Sequence, residues 1–174
     1  PNTDGINPDS CRNVHISNCY VDVGDDCLAI KSGKQDDPRR VGKSCENITI
    51  TNCVMGRGHG GVVIGSEMSG GVKNVVVSNC VFNDTDRGIR IKTLRGRGGV
   101  VEDIRVDNIV MNRVHGPFAI NMHYFSSAIT LADEKAASAP GGTPVIRNIY
   151  FSNITASQTR VAAAFLYGLP DMPV

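Results

Sequence analysis

The chain has 174 residues and a formal net charge of +1, with 18 Lys and Arg against 17 Asp and Glu. That length is enough for one domain with its own hydrophobic core. The balanced charge argues against nucleic acid or an anionic membrane as a partner attracted by overall charge. No apolar run reaches the roughly 18 residues of a membrane-spanning helix. Because the chain begins at Pro1, we expect a piece of a longer chain, in which a missing signal peptide decides nothing.

The composition indicates short β-strands joined by tight turns. Val and Ile together number 35 against 5 Leu, and the chain holds 14 Asn, 19 Gly and no Trp. β-branched residues favour strands, whereas Gly and Asn favour turns. Helical proteins depend instead on Leu, Ala, Glu and Lys. We therefore expect an all-β fold.

Five segments of the chain align without a gap as an internal repeat. Their starts are separated by 34, 27, 29 and 45 residues and lie at Asn13, Asn47, Asn74, Asp103 and Asn148. In chain order they read NVHISNCYVDVGDDCLAIK, NITITNCVMGRGHGGVVIG, NVVVSNCVFNDTDRGIRIK, DIRVDNIVMNRVHGPFAIN and NIYFSNITASQTRVAAAFL. Repeats of this length indicate stacked structural units, each too small to bury its own apolar face.

Each repeat predicts two strands. In the first, apolar residues alternate with polar ones, which is typical of a strand with one buried face. Its two apolar columns hold Val14, Ile48, Val75, Ile104 and Ile149, and then Ile16, Ile50, Val77, Val106 and Phe151. The second strand has an apolar column of Ile30, Ile64, Ile91, Ile120 and Phe165. Stacking the repeats about 4.8 Å apart would place like residues on one another.

A turn is expected between the two strands of every repeat. Asn recurs at one place, at Asn18, Asn52, Asn79, Asn108 and Asn153. Asn adopts the left-handed conformation readily and hydrogen-bonds to neighbouring amides. We expect these side chains to form a ladder inside the coil. The next position predicts an apolar stack beside that ladder, made of Cys19, Cys53, Cys80, Ile109 and Ile154.

The repeat predicts a right-handed parallel β-helix with about five recognisable coils and a partial first coil, forming one domain over residues 1–174. A leucine-rich repeat would need far more Leu, and a propeller would need antiparallel hairpins with Trp-Asp signatures. Two polar insertions, at 34–43 and 124–143, interrupt the period. Insertions in solenoids often emerge on the binding face.

Six cysteines lie in the first half of the chain, at Cys11, Cys19, Cys27, Cys45, Cys53 and Cys80. An even number is compatible with disulfides, but a free Cys is also a good small core residue. We expect mostly buried thiols. Cys11 and Cys45 each stand two residues before a repeat start, so a bridge between them is the expected exception.

One column of the repeat contains only ionisable residues, namely Asp25, His59, Asp86, His115 and Arg160. Asp4 lies 21 residues before Asp25, about one short coil, so we expect it in the same column one layer earlier. Asp4, the Asp25-Asp26 pair and His59 should then cluster in three consecutive layers. Three carboxylates in one patch repel one another, so some must be protonated, metal-bound or paired with a cation. The alternative is that these Asp residues only shape turns.

A basic cluster is expected beside the acidic one. Arg90 and Lys92 alternate on a strand and point to the same side, with Arg87, Arg95 and Arg97 nearby. An Arg fork suits a carboxylate, so the two clusters together fit a site that cleaves an anionic substrate. The alternative is an internal salt bridge from Asp25 or Asp26 to Arg90.

His59 is the one histidine with a functional setting. It stands in Gly-Arg-Gly-His-Gly-Gly, in the layer between the acid pair and the basic pair. No helix is predicted after this run, so it is not a phosphate-binding loop.

Four short motifs now stand in order along the chain: Asn2-Thr3-Asp4, Gly24-Asp25-Asp26, Gly58-His59-Gly60 and Arg90-Ile91-Lys92. They resemble the four signature motifs of the polygalacturonases, glycoside hydrolase family 28. The resemblance covers essentially the whole chain and is closest to bacterial and plant-type members. Tyr124, in Ile120-Asn121-Met122-His123-Tyr124, is similar to the family's substrate-contacting tyrosine.

The resemblance implies a role for each of these residues. Asp25 matches the general acid that protonates the leaving glycosidic oxygen. Asp4 and Asp26 match the carboxylates that activate water. His59 matches the residue that tunes the protonation of the acid and aids turnover. Substrate contacts are implied for Arg90 and Lys92, to a galacturonate carboxylate, and for Tyr124, to the sugar ring.

The chain also departs from the family. In fungal members a Cys at the position of Cys27 is bridged to a Cys four residues before the catalytic His. Met55 stands there in this sequence, so we expect no such bridge. The family's domain is considerably longer, so activity is expected of the full-length chain rather than of this stretch.

The implied function is hydrolysis of α-1,4-linked galacturonan, in pectin or polygalacturonate, without metal or cofactor. We expect a secreted or periplasmic monomer that acts on a pectic polysaccharide or oligogalacturonide and binds neither nucleic acid nor membrane. Two alternatives remain open: a Ca²⁺-dependent pectate lyase-like β-helix, and a non-catalytic β-helix that binds carbohydrate or is structural.

Backbone spacing alone allows either stereochemical outcome. Two carboxylates flank the acid and can share one water, and none is singled out as a nucleophile. The resemblance also implies inversion. We therefore expect a single-step inverting displacement, with Asp25 kept protonated by its like-charged neighbours.

Overall fold

The computed structural model describes residues 2–34, 42–124 and 142–174. Within these ranges the chain forms twelve strands and no α-helix. The strands are β1 (Arg12–Ser17), β2 (Tyr20–Val21), β3 (Asp26–Ile30), β4 (Cys45–Thr51), β5 (Val54–Met55), β6 (Gly58–Gly65), β7 (Val72–Asn83), β8 (Thr85–Lys92), β9 (Val100–Asn112), β10 (Gly116–Asn121), β11 (Val145–Ser157) and β12 (Ala164–Tyr167). Every pairing between these strands is parallel.

The strands divide between two sheets, and each coil contributes to both. One sheet contains β1, β4, β7, β9 and β11, with the short strands β2 and β5 beside them. The other follows the chain in the order β3, β6, β8, β10, β12. Isolated parallel bridges from Ile6 to Leu28 and from Asp9 to Lys31 add a partial coil before β1. The fold is a right-handed parallel β-helix, as predicted.

The core lies between the two sheets and contains the predicted columns of the first four repeats. In the last repeat the prediction was wrong for Phe151 and Phe165, which are exposed. Val14 pairs with Ile48, Ile48 with Val75, and Val75 with Ile104. These columns stack without interruption because parallel pairing keeps equivalent residues level. One position differs: Leu166, not Phe165, pairs with Ile120, because the register of the last coil shifts by one residue before β12.

The Asn ladder is on the outside of the coil, so the prediction that it points inward was wrong. The five residues have φ between 51 and 57° and are exposed. The left-handed turn directs their side chains to solvent and the following Cys or Ile to the core. Only part of the ladder is bonded side chain to side chain, as where the Asn108 amide donates to Asn79 at 2.8 Å.

A second exposed ladder runs along the starts of the repeats. The Asn47 amide donates to Asn13 at 3.0 Å, and Asn74 donates to Asn47 at 3.1 Å. Asn148 continues the pattern by donating to Asp103 at 3.1 Å. These residues also have positive φ, between 55 and 59°. The repeated Asn residues therefore serve two turn positions in every coil.

All six cysteines are free thiols, so the expected Cys11–Cys45 bridge is absent. Cys27, Cys45, Cys53 and Cys80 are buried, as most of them were expected to be. Burial raises the pKa of the Cys27 thiol to about 12 and that of the Cys80 thiol to about 11. These two side chains therefore act as small core residues.

The predicted insertions at 34–43 and 124–143 fall mostly on residues 35–41 and 125–141, which lie outside the described residues. A helix long and apolar enough to cross a membrane does not occur in the described part of the chain.

Candidate active site

The predicted site residues lie on strands of the second sheet or on the segments next to them. Asp25 immediately precedes β3 and Asp26 is its first residue. His59 lies near the start of β6, one coil further, and Lys92 ends β8 in the coil after that. Parallel stacking therefore brings residues that are far apart in sequence into adjacent layers.

Asp4, Asp25 and Asp26 form an acidic cluster in which carboxylate oxygens of all three lie within 4.8 Å of one another. The clustering agrees with the sequence analysis, but the register differs by one residue. Because Ile6 bridges Leu28, Asp4 is level with Asp26 rather than with Asp25. The Asp26 amide accordingly donates to Asp4 Oδ1 at 3.2 Å.

Asp4 is the most heavily hydrogen-bonded member of the acidic cluster. Its Oδ2 accepts from Lys31 Nζ at 2.9 Å and from Asn7 Nδ2 at 2.8 Å. Partial burial acts to raise the pKa of Asp4. The hydrogen bonds from Lys31 and Asn7, the Lys31 charge and the Asp26 amide outweigh burial, so the pKa lies below its usual range. Asp4 is therefore a well-anchored carboxylate.

Asp26 is buried, with 2% of its surface exposed. Its Oδ2 accepts from Lys92 Nζ at 2.7 Å. Its Oδ1 is also buried and has no hydrogen-bond partner among the described residues. Burial raises the pKa of Asp26, although the Lys92 ammonium opposes the rise. The two proposed base carboxylates thus have pKa values shifted in opposite directions.

Asp25 pairs with His59, not with Arg90. Its Oδ1 lies 3.2 Å from His59 Nδ1, and its carbonyl accepts the His59 amide at 2.9 Å. Both side chains remain partly accessible, with 25% of Asp25 and 54% of His59 exposed. An acid that must reach a leaving group needs this accessibility.

The glycines on either side of His59 allow the layers to approach. A Cβ on Gly58 would lie 2.7 Å from the Asp25 carbonyl oxygen. One on Gly60 would lie 2.2 Å from a Val63 methyl and 3.1 Å from Asp26 Oδ1. The Gly-His-Gly sequence is therefore needed because a side chain at either glycine would collide with the site.

Arg90, Lys92 and Tyr124 form a cationic and aromatic patch beside the acidic cluster. The Arg90 guanidinium carbon lies 5.3 Å from the centre of the Tyr124 ring, and Lys92 Nζ lies 5.2 Å from it. Within the described ranges no carboxylate forms an ion pair with Arg90, so its guanidinium fork is available to a ligand. Two of the other predicted basic residues are paired with carboxylates, Arg87 with Asp86 and Arg95 with Asp171.

The acidic cluster is the one group of at least three His, Cys, Asp or Glu side chains in the described part of the chain close enough to share a metal ion. Two of its oxygens already accept lysine ammonium groups, Asp4 from Lys31 and Asp26 from Lys92. These cations neutralise much of the charge that would attract a metal.

The sequence analysis missed Lys31 and Asn7, both of which bond to Asp4. A signal for Lys31 was present, because the gapless repeat puts it in the same column as Lys92. Asn7 lies before the first repeat and had no column to reveal it.

A family model for glycosyl hydrolases family 28 matches residues 1–168. The chain belongs to glycosyl hydrolases family 28. Similar curated relatives include a "Probable polygalacturonase" of Vitis vinifera, 39% identical over 174 residues that cover 99% of this chain and 34% of the relative. A "Polygalacturonase" of Chamaecyparis obtusa is 34% identical over 161 residues, covering 90% of this chain and 29% of the relative. The chain thus spans about a third of the length of these family 28 relatives.

Solved structures agree with the assignment. A hyperthermoactive exopolygalacturonase from Thermotoga maritima has 28% identity and a TM-score of 0.70, covering 97% of this chain and 42% of that one. A family 28 exopolygalacturonase of Yersinia enterocolitica has 21% identity and a TM-score of 0.75, covering 92% of this chain and 28% of that one. The second shows the shared fold alone. Met55 lies in β5 of the first sheet and is buried in the core. It stands at the position for which the resemblance implied a bridging Cys in fungal members.

The buried Lys92–Asp26 pair leads to a stability prediction. Replacing Lys92 by Met leaves the Asp26 carboxylate buried without a cation, which costs about 3–5 kcal/mol when one partner of such a pair is removed. We expect the free energy of unfolding at neutral pH to fall by about that amount. The loss should shrink on acidification, because the raised pKa of Asp26 rises further in the variant and protonation removes the buried charge.

Urea unfolding of the full-length gene product, at neutral and acidic pH, measures this difference. Arg12→Met is the matched control, because it breaks an ion pair to Glu46 in which 63% of the Arg side chain is exposed. Such pairs contribute about 1 kcal/mol or less. Equal losses in the two variants would contradict the assigned burial of the Lys92–Asp26 pair.

Proposed function

We propose that the protein hydrolyses α-1,4-linked galacturonan by general acid and base catalysis at the acidic cluster. The observation that carries this proposal is the juxtaposition of three carboxylates with a free Arg and an accessible Tyr. Carboxylates supply the acid and base of glycoside hydrolysis. An anionic sugar is the substrate class that a cationic patch beside such acids would select. The polygalacturonase names of the relatives support the same substrate.

Arg90 is proposed to bind the carboxylate of the galacturonate at the cleavage point. Its planar fork can form two parallel hydrogen bonds to a carboxylate. The Tyr124 backbone amide donates a hydrogen bond to the Thr93 carbonyl at 2.9 Å. The Tyr124 ring is proposed to offer an apolar face to the sugar. Lys92 Nζ donates a hydrogen bond to Asp26 at 2.7 Å and also faces the Tyr124 ring, so it adds positive charge at the site.

Asp25 is proposed as the general acid that protonates the leaving glycosidic oxygen. It is the most accessible of the three carboxylates, and it contacts His59. An imidazole at 3.2 Å can exchange a proton with Asp25 between turnovers. That contact gives His59 its proposed role in tuning the acid and aiding turnover.

Asp4 and Asp26 are proposed to hold and deprotonate the attacking water. Asp4 is level with Asp26 in the preceding layer, and oxygens of the two carboxylates lie within 4.8 Å of each other. Two carboxylates that share one water orient both its hydrogens. The raised pKa of Asp26 makes it the better proton acceptor of the two, because it binds a proton more tightly.

The stereochemistry is proposed to be inverting. Separations between carboxyl groups are about 6.5–9.5 Å in most inverting enzymes and about 5–5.5 Å in retaining ones. The closest oxygens of the cluster fall within 4.8 Å, so this spacing alone does not favour inversion. The proposal rests on the two carboxylates placed to share a water and on membership of family 28.

The remaining proposals concern the setting of the reaction. A pectic polysaccharide or oligogalacturonide is the proposed partner, and the enzyme is proposed to act as a secreted or periplasmic monomer without metal or cofactor, bound to neither nucleic acid nor membrane. A pectate lyase would leave an unsaturated, ultraviolet-absorbing product and lose activity with a chelator. A non-catalytic β-helix would bind the polymer without shortening it.

Replacing Asp25 by Asn tests the acid directly. General acid catalysis contributes about 10²–10⁴-fold to the rate, so we expect kcat on polygalacturonate to fall by that factor with little change in KM. Release of reducing ends by the full-length gene product, with and without chelator, is the measurement. Asp86→Asn is the matched control, since Asp86 occupies the same column two coils further but pairs with Arg87. A fall of similar size in both variants, or none in Asp25→Asn, would refute the assignment.

Proton NMR of the first product tests the stereochemistry. A single displacement at an α-linkage should yield the β-anomer before mutarotation mixes the two forms. An initial α-anomer, or a glycosyl group trapped on Asp4, Asp25 or Asp26, would overturn the inverting mechanism.

A further inference from the structure

We propose that Lys31 is a positioning residue that fixes Asp4 as an ionised carboxylate beside the acid and the water. The inference rests on the proposed function of the acidic cluster and assigns a role to a residue outside the four motifs. Lys31 Nζ lies 2.9 Å from Asp4 Oδ2 and 3.8 Å from Glu67 Oε2. The ion pair is partly enclosed, with 22% of the Lys31 side chain and 16% of the Asp4 side chain exposed.

Backbone hydrogen bonds fix Lys31 against the preceding layer, which contains Asp4. Its amide donates to the Pro8 carbonyl at 2.9 Å, and its carbonyl accepts the Ser10 amide at 2.9 Å. Asp4 is connected to β3 in turn, through the Asp26 amide. Because both residues are fixed to the same pair of layers, the ammonium has little freedom to leave the carboxylate.

The repeat supplies a lysine for each of the two proposed base carboxylates. Ile30 pairs with Ile64, which places Lys31 level with Gly65, and Gly65 pairs with Lys92. Lys31 bonds to Asp4 and Lys92 bonds to Asp26. A Cβ on Gly65 would lie 2.2 Å from the Lys92 carbonyl oxygen, so the coil between them carries no side chain in this column. The two lysines thus lie in one column, two coils apart, and each contacts one carboxylate of the acidic cluster.

The charges around Asp4 explain why such a cation is needed. Asp25 and Asp26 are like charges in the same cluster, and Glu67 adds another near Lys31. Lys92 and Arg90 act on Asp26 from β8. Of the described cations, Lys31 is the one that contacts Asp4. Without it, the pKa of Asp4 would be higher, because the hydrogen bond and the charge of Lys31 both lower it.

Removal of the Lys31 charge should therefore change the pH dependence of the reaction. A cation at this distance lowers the pKa of a carboxylate by about 1–3 units. Lys31→Gln removes that cation, so the pKa of Asp4 rises and the base is lost at a higher pH. We expect the acid limb of kcat/KM to move to higher pH in the full-length gene product, by no more than the rise of about 1–3 units in the Asp4 pKa, because the reaction also requires ionised Asp26, whose pKa is already raised. Lys31→Arg should restore the wild-type limb because it keeps the charge.

Lys73→Gln is the matched control. Lys73 lies in β7 on the other sheet and pairs with Glu46 at 3.0 Å, so its loss should leave the profile unchanged. A folded Lys31→Gln protein with the wild-type limb would overturn the proposal. So would a Lys31→Arg protein shifted as far as Lys31→Gln, or a Lys73→Gln protein shifted equally.

Carboxyl ¹³C NMR provides a readout that needs no activity, and its wild-type arm needs no Lys31 variant. The Asp4 resonance is identified by its loss in Asp4→Asn. It should titrate below the ordinary Asp value of about 3.9 in the wild type, and higher in Lys31→Gln. Wild-type titration at or above that value would refute the inference. An enzyme with the expected titration but no cleavage of polygalacturonate would refute the proposed function and leave the role of Lys31 standing.

Discussion

Parallel hydrogen bonding between successive coils is the constraint on which the rest of this structure depends. It keeps equivalent residues of the repeat level and about 4.8 Å apart. The same register stacks Val14, Ile48 and Val75 in the core and aligns Asn13, Asn47 and Asn74 outside it. A side chain's column therefore decides whether it packs, shapes a turn or faces a ligand.

The acidic cluster is the place where this stacking of equivalent residues is unfavourable. Stacking like on like is favourable for apolar and amide side chains, but it brings carboxylates too close together. The structure compensates with one ammonium for Asp4 and another for Asp26, and with an imidazole for Asp25. Three carboxylates thereby receive three different environments: Asp4 is anchored by several donors, Asp26 is buried, and Asp25 is accessible. Different environments are what separate an acid from a base within one site.

Much of this could be predicted from the sequence, because a solenoid converts sequence period into spatial proximity. The alternation of Val and Ile gave the strands and the core columns, and the ionisable column placed Asp25 and His59 in adjacent layers. Whether the side chains of the Asn18 column point inward or outward could not be inferred from this alternation. These residues adopt a left-handed turn, in which the alternating in-and-out pattern of a strand no longer holds. The predicted register of Asp4 was also wrong by one residue, because Asp4 lies before the first complete repeat.

The partners of the charged groups were the least predictable part. Sequence spacing left an internal salt bridge from Asp25 or Asp26 to Arg90 open as an alternative. In the described part of the chain, Lys92 pairs with Asp26, and Arg90 has no carboxylate partner. Which cation pairs with which carboxylate depends on the length and direction of each side chain in the folded coil. The position of a residue in the repeat does not specify either. It matters for function, because a free guanidinium next to paired carboxylates can receive an anionic sugar.

The most direct test of the account is a crystal structure of the full-length gene product carrying Asp25→Asn, with an oligogalacturonate bound. The account predicts a sugar carboxylate on the Arg90 guanidinium, a ring against Tyr124, and the glycosidic oxygen within hydrogen-bond distance of residue 25. An oligosaccharide bound on another face, or one whose carboxylate avoids Arg90, would contradict it.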